Sequence, residues 1–145
     1  MTAGVAVVAI VVVSHSRALA QAAVDLATGL VTGLDVVVEV AAGLEDGALG
    51  TDTGQILAAI ETAARAPGGK DGVLVLADLG SSIMSAETAL ELADPELAAR
   101  TRLSPAPLVE GLVGAYVAAG IGRSLEEVAA EAASAPEAKR RQMSS

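Results

Sequence analysis

Cysteine is absent from this 145-residue chain, and histidine and aromatic residues are almost absent. Without cysteine the chain has no disulfide, no thiolate nucleophile and no cysteine-ligated zinc. The only histidine, His15, leaves too few ligands for a histidine-based centre, so we expect no bound metal. Because Tyr116 is the only aromatic residue, the core must consist of Ala, Val, Leu and Ile. A Gly-X-Ser-X-Gly elbow of the serine hydrolases is also missing.

Basic residues are few, with 9 Lys and Arg against 18 Asp and Glu, which gives a net charge of -9. This balance argues against binding to nucleic acid phosphates or to an anionic membrane surface, and favours a protein partner. The apolar run from Val5 to Val13 follows no Lys or Arg and is shorter than the roughly 20 residues of a membrane-spanning helix. We therefore interpret it as a buried strand and expect a cytoplasmic protein.

Stretches rich in β-branched residues predict the strands of a sheet. They are GVAVVAIVVV (4–13), DVVVEV (35–40), DGVLVLAD (71–78) and a short stretch at 101–103. Because the first run is apolar without alternation, it is typical of a central parallel strand that is covered on both faces.

Segments with helical spacing of apolar residues lie between and after these strands. They are residues 17–30, which end near Gly29 to Gly33, Thr53 to Arg65, IMSAETALELA (83–93), LVEGLVGAYVAAGI (108–121) and SLEEVAAEAA, in which Ser124 and Glu127 form a capping box. The order predicts one α/β domain over 1–135, an open, doubly wound, mainly parallel sheet of four to five strands with helices on both faces. We expect residues 136–145 to form a polar, frayed tail.

Two chemically useful side chains come where predicted strands end, His15 after the first and Asp78 after the third. In a doubly wound sheet, ligands gather at this carboxyl edge. A neutral imidazole has one nucleophilic nitrogen, while the other donates a proton to an acceptor that fixes the tautomer. Asp78 would be that acceptor and would stabilise the charge that develops on the ring. The alternatives are a structural histidine and an Asp78 that only caps the next helix.

Residues that flank these two positions could hold the oxygens of a phosphoryl group, through hydroxyls or helix N-terminal amides. They are Ser14, Ser16, Thr51, Gly80, Ser81 and Ser82. Helix capping is the alternative for the serines, and Thr51 or Asp52 could equally cap the second helix. The segment at 50–53 is not a Walker loop, because no Gly-Lys-Ser/Thr follows.

Three segments resemble the enzyme IIA domains of the mannose family of the bacterial sugar phosphotransferase system. They are VVVSHSRALAQAAVDLA, DGVLVLADLGSSIMSAETALE and APLVEGLVGAYVAAGIGRSLEEV. Within that family they look like the phosphotransfer subunits (DhaM type) of phosphotransferase-dependent dihydroxyacetone kinases. The resemblance covers nearly the whole chain. It implies the mannose-type EIIA fold, a homodimer, and a hydrogen bond from Asp78 to a phosphorylated His15.

The resemblance also implies a phosphoryl relay. The phosphocarrier protein HPr would phosphorylate His15, which would pass the group to ADP on a nucleotide-binding (DhaL-type) subunit. The resulting ATP would phosphorylate dihydroxyacetone on a third (DhaK-type) subunit. No cofactor would be bound permanently, and phosphate would arrive in trans. Two alternatives stay open: an enzyme IIA component that feeds a sugar permease IIB protein, and a regulatory module in which His15 senses a ligand.

Overall fold

A computed structural model describes residues 4–144, and within that range the strands form one sheet. The strands are β1 (Val8–Ser14), β2 (Val38–Ala42), β3 (Gly72–Ala77) and β4 (Thr101–Leu103). All pairs are parallel, and the order across the sheet is β2-β1-β3-β4. The α/β prediction is confirmed, with four strands in the described range.

Helices connect and follow the strands. They are α1 (Arg17–Leu30), α2 (Thr53–Arg65), α3 (Gly80–Leu92), α4 (Pro95–Ala99), α5 (Leu108–Gly120), α6 (Leu125–Ser134) and α7 (Pro136–Ser144), with a 3₁₀ turn at Pro67–Gly69. The bounds predicted for α2 are confirmed, and so is the capping box of Ser124 and Glu127.

Every residue of β1 is buried, because helices cover both faces of the sheet. Val8, Ile10 and Val12 pack in one core cluster with residues of α1, α5 and α6. The alternate residues Ala9 and Val11 pack in a second cluster with residues of α2 and α3. The sequence-based prediction of a strand covered on both faces is therefore confirmed, because alternate residues of β1 lie in two different core clusters.

Helix α1 meets the sheet through alanine. Ala20, Ala23 and Ala27 are its buried residues, whereas Leu19 and Leu30 are exposed. The spacing of the leucines predicts the helix correctly, but they lie on its outer face. Small side chains on the inner face allow the helix backbone to approach the sheet closely, which suits a core without large rings.

The C-terminal segment, predicted to be frayed, is helical in the structure as α7. Its Lys139 Nζ lies 2.8 Å from Glu110 Oε1 on α5, and Arg140 Nη1 lies 2.6 Å from Glu137 Oε1 one turn before it. The first ion pair joins α7 to a distant helix and the second lies within α7, and composition alone reveals neither. Within residues 4–144 no helix combines the length and the hydrophobicity needed to cross a membrane.

The register of β1 and β3 decides where the site lies. Val13 pairs with Ala77, and the Asp78 N–H donates to the Val13 carbonyl at 3.1 Å. After β1 the chain continues to β2 on one side of it, and β3 is then added on the other side of β1. The carboxyl ends of β1 and β3 therefore lie where the strand order switches direction. His15 and Asp78 therefore emerge side by side at one edge of the sheet.

Candidate active site

The His15 ring lies against the carboxylate of Asp78. Nδ1 of His15 is 3.2 Å from Asp78 Oδ1 and 3.4 Å from Oδ2. The histidine side chain is 27% exposed and that of Asp78 is 9% exposed, so the ring meets solvent while the carboxylate lies beneath it. The strand ends place the two residues, since each follows the last residues of a buried strand.

Asp78 accepts hydrogen bonds from groups on both strand ends and on α3. Oδ2 accepts from the Ser14 hydroxyl at 3.0 Å and from the His15 N–H at 3.0 Å. Oδ1 accepts from the Leu79 N–H at 2.8 Å and from the Ser82 hydroxyl at 2.5 Å. Helix capping of the usual kind is not its role, because the N-cap position of α3 is Leu79. The carboxylate instead fixes the junction of β1, β3 and α3.

These hydrogen bonds keep Asp78 ionised. Burial by itself raises the pKa of this carboxyl. Hydrogen bonds from the Ser82 hydroxyl, the His15 backbone, the Ser14 hydroxyl and the His15 ring lower the pKa by more than burial raises it, and the result is a pKa of about 2 instead of 3.8. An ionised carboxylate only accepts hydrogen bonds. The ring nitrogen that faces it, Nδ1, must therefore carry the proton, and Nε2 keeps a free lone pair.

Two serines at the start of α3 contact the ring. Ser82 Oγ is 3.0 Å from His15 Nδ1, so it lies beside the same N–H that faces Asp78. Ser81 Oγ is 2.8 Å from Nε2. With the proton on Nδ1, the Ser81 hydroxyl is the donor to Nε2. Ser82 is buried and Ser81 is exposed, which puts Ser81 on the side of the ring that a reactant would approach.

Two helices begin at the site. Ser16 is the N-cap of α1 and accepts from the Leu19 N–H at 3.1 Å, while α3 starts at Gly80 without a side-chain cap. The first N–H groups of a helix have no partner within it and carry partial positive charge. Gly80 and Ser81 belong to that first turn of α3, so the edge beside His15 suits an anion.

The remaining predicted residues lie elsewhere in the cluster. The Ser14 side chain is fully buried, and its hydroxyl is bonded to Asp78 rather than open to solvent. The Thr51 hydroxyl is 2.7 Å from that of Ser85 on α3. Asp52 caps α2 by accepting from the Gln55 N–H at 3.2 Å, so of the two cap candidates Asp52 is the cap.

Sequence reasoning missed Ser85, which touches this cluster, and considered Gly50 only as part of the 50–53 segment. The Gly50 N–H donates to the His15 carbonyl at 2.9 Å. Ser85 follows Ser81 by four residues and Ser82 by three, and that spacing on a helix is a signal that could have found it.

No group of three or more His, Asp or Glu side chains within residues 4–144 is arranged to hold a metal ion.

Curated relatives share this sequence over most of its length. The PEP-dependent dihydroxyacetone kinase phosphoryl donor subunit DhaM of Escherichia coli (strain K12) is 43% identical over 136 residues, which are 92% of this chain but 28% of that protein. This chain thus spans less than a third of that relative. A DhaM of Listeria innocua serovar 6a, from PEP-dependent dihydroxyacetone kinase 2, is 36% identical over 86% of this chain and 95% of its own length.

Solved structures share the fold. EF1359, a protein of unknown function, has a TM-score of 0.76 at 29% identity, over 87% of this chain and 92% of that one. A sigma-54 interaction domain protein from Enterococcus faecalis has a TM-score of 0.70 at 18% identity, over 97% of this chain and 98% of that one, and shows likeness of fold alone.

The resemblance seen in the sequence is confirmed by the family comparison, which matches residues 9–129. The chain belongs to the EIIA-man family, described as the PTS system fructose IIA component.

Proposed function

We propose that this chain is a phosphohistidine carrier of the phosphotransferase system, with His15 as the residue that holds the phosphoryl group. The observation that carries the proposal is the contact of Nδ1 with the ionised Asp78 carboxylate at 3.2 Å. That contact leaves Nε2, on the exposed side of the ring, as the nitrogen with a free lone pair.

In the proposed step, the Nε2 lone pair attacks the phosphorus of a phosphorylated donor. The Nε2–P bond forms as the donor's bond to phosphorus breaks, and that electron pair stays with the donor. The ring becomes positively charged, and the Asp78 carboxylate stabilises it through the proton on Nδ1. The Ser81 hydroxyl, which donates to Nε2 at 2.8 Å in the free chain, has to turn away before the attack.

The same surroundings would receive the phosphoryl oxygens. We assign this role to Ser81, once it has left Nε2, and to the N–H groups at the start of α3, which include Gly80. Ser16 at the start of α1 is a second candidate, because its hydroxyl proton is still available while its oxygen caps the helix. Ser14 and Ser82 act instead through Asp78, to which both donate.

The relatives are named as phosphoryl donor subunits of PEP-dependent dihydroxyacetone kinases, which supports other subunits of such a kinase as partners. HPr is the proposed donor, and ADP on a DhaL-type subunit that works with a DhaK-type subunit is the proposed acceptor. The similarity to DhaM phosphoryl donor subunits supports the choice of a kinase subunit as acceptor. The family description as a fructose IIA component favours a second candidate, transfer to a IIB protein of a sugar permease.

Labelling tests the proposal. The full chain is incubated with radioactive phosphoenolpyruvate, enzyme I and HPr, and the expected result is one acid-labile phosphate on His15. His15→Ala should take up none and should still fold, because the ring is partly exposed and lies outside both core clusters. Labelled chain is then mixed with ADP-loaded DhaL-type subunit or with a IIB protein, and the one that removes the label is the acceptor. An unlabelled wild-type chain, or a labelled His15→Ala variant, contradicts the proposal.

A further inference from the structure

The hydrogen bond between Thr51 and Ser85 lies outside the chemistry described so far. Their hydroxyl oxygens are 2.7 Å apart, and the two residues come from the β2–α2 loop and from α3. Ser85 lies one helical turn beyond Ser81 and Ser82, on the same side of α3. One side of this helix thus carries a row of hydroxyls that contact Thr51, Asp78 and the His15 ring.

The loop that carries Thr51 is also attached to the segment that carries His15. At the start of the loop, the Gly43 N–H donates to the Ser14 carbonyl at 3.1 Å. At its end, the Gly50 N–H donates to the His15 carbonyl at 2.9 Å. The backbone of His15 is therefore joined to the residue next to Thr51, and the Thr51 hydroxyl joins that loop to α3.

Asp78 holds the first turn of α3 through the Leu79 N–H and the Ser82 hydroxyl, and the Thr51–Ser85 hydrogen bond adds an attachment one turn further along. The N-cap of α3, Leu79, supplies no side-chain hydrogen bond, and Leu79, Gly80 and Ser81 are all exposed. Ser81 itself therefore has neither a side-chain cap before it nor burial to fix its hydroxyl, and within the first turn it depends on its neighbour Ser82, which is bonded to Asp78. A second attachment one turn further along the helix restricts how α3 can shift or rotate.

We propose that Thr51 and Ser85 form a hydroxyl clamp that positions the start of α3 against the His15 ring. Thr51 is then a positioning residue and not a ligand of the phosphoryl group. This inference rests on the proposed function of His15. The clamp keeps Ser81 beside the ring, where its hydroxyl can turn from Nε2 to the phosphoryl oxygens, and keeps Ser82 on Asp78, so its loss disorders the site without removing any of these groups.

A double-mutant cycle tests the clamp by phosphoryl transfer from phosphorylated HPr to the full chain. Thr51→Val and Ser85→Ala should each lower the maximal rate about 3- to 10-fold, the range expected for one neutral hydrogen bond, with an unchanged KM. The double variant should be no slower than either single variant. Thr51→Ser, which keeps the hydroxyl, should restore the rate. Thr28→Val is the matched control, since it removes a threonine hydroxyl bonded only within α1, and it should match wild type.

Several outcomes overturn the clamp. An additive double variant would mean that Thr51 acts on the phosphoryl group directly, and a raised KM would mean that it contacts the donor protein. A wild-type rate in Thr51→Val would show that the Thr51 hydroxyl has no role in phosphoryl transfer.

A second measurement separates the clamp from the carrier function, because it needs no phosphate. The ring ¹⁵N signals of His15 in the unphosphorylated chain should shift in Thr51→Val and in Ser85→Ala, and not in Thr28→Val. Unchanged ring signals would overturn the clamp, whereas a wild-type chain that takes up no label would overturn the proposed function alone.

Discussion

Replacing Asp78 by Asn tests the proposed mechanism most directly. The substitution keeps the size of the side chain but exchanges one oxygen for an NH₂ group. If that group faces the Oδ2 side, it meets the Ser14 hydroxyl and the His15 N–H. If it faces the Oδ1 side, it meets the Leu79 N–H and the protonated Nδ1 of the ring. Both orientations place donor against donor, and the second favours the tautomer whose Nε2 is protonated and cannot attack.

The magnitude has two parts. Transfer from phosphorylated HPr should slow by about 10² to 10⁴, the range for a positioned general acid or base. Stability should fall as well, because the pKa of Asp78 is lowered from 3.8 to about 2, which corresponds to about 2 kcal/mol at neutral pH. An interpretation of Asp78 as a simple helix cap predicts neither loss, since Asn caps about as well as Asp.

The assay combines quench-flow measurement of labelling with urea unfolding of the same preparations. Asp52→Asn is the matched control, because Asp52 only caps α2 through the Gln55 N–H and should tolerate Asn. The reasoning is refuted if Asp78→Asn transfers phosphate at the wild-type rate, or if Asp52→Asn loses as much as Asp78→Asn.

Two further predictions concern stability. The Asp78 contribution is complete above about pH 5 and should be lost as pH falls through 3.8 towards 2, so the difference in unfolding free energy between wild type and Asp78→Asn should shrink across that interval. Equal differences at pH 6 and pH 2 would contradict this. Gly50→Ala should cost about 1 to 3 kcal/mol in urea unfolding, because φ at Gly50 is +146° and an added Cβ would lie 3.0 Å from the Leu44 side chain. An unchanged unfolding midpoint would show that the loop adapts.

Much of the fold could be predicted from sequence because its signals are local. The β-branched run of β1 and the bounds of α2 follow from the composition of short windows. The exposed leucines of α1 and the helical conformation of α7 could not be predicted in the same way. The buried face of α1 depends on which side meets the sheet, and the pairing of Lys139 with Glu110 joins residues 29 positions apart.

The candidate site divides in the same manner. His15 and Asp78 could be placed together because parallel neighbours end at one edge of a sheet. The hydrogen-bond partners of individual hydroxyls could not be predicted from sequence, because Ser14 bonds to Asp78 and Thr51 bonds to Ser85 only as a result of long-range packing. Residue type identified the polar cluster, and tertiary structure decided which members bond to one another.

The pairing of β1 with β3 has a consequence for when the chain acquires its chemistry. His15 and Asp78 are 63 residues apart in sequence, and the carboxylate holds the ring only once the two strands have aligned with Val13 opposite Ala77. A slip of one residue would turn alternate side chains to the opposite face of the sheet. The His15–Asp78 pair is thus assembled by residues far apart in sequence, and a nascent or partly folded chain in which β1 and β3 have not yet aligned lacks the carboxylate that holds the ring.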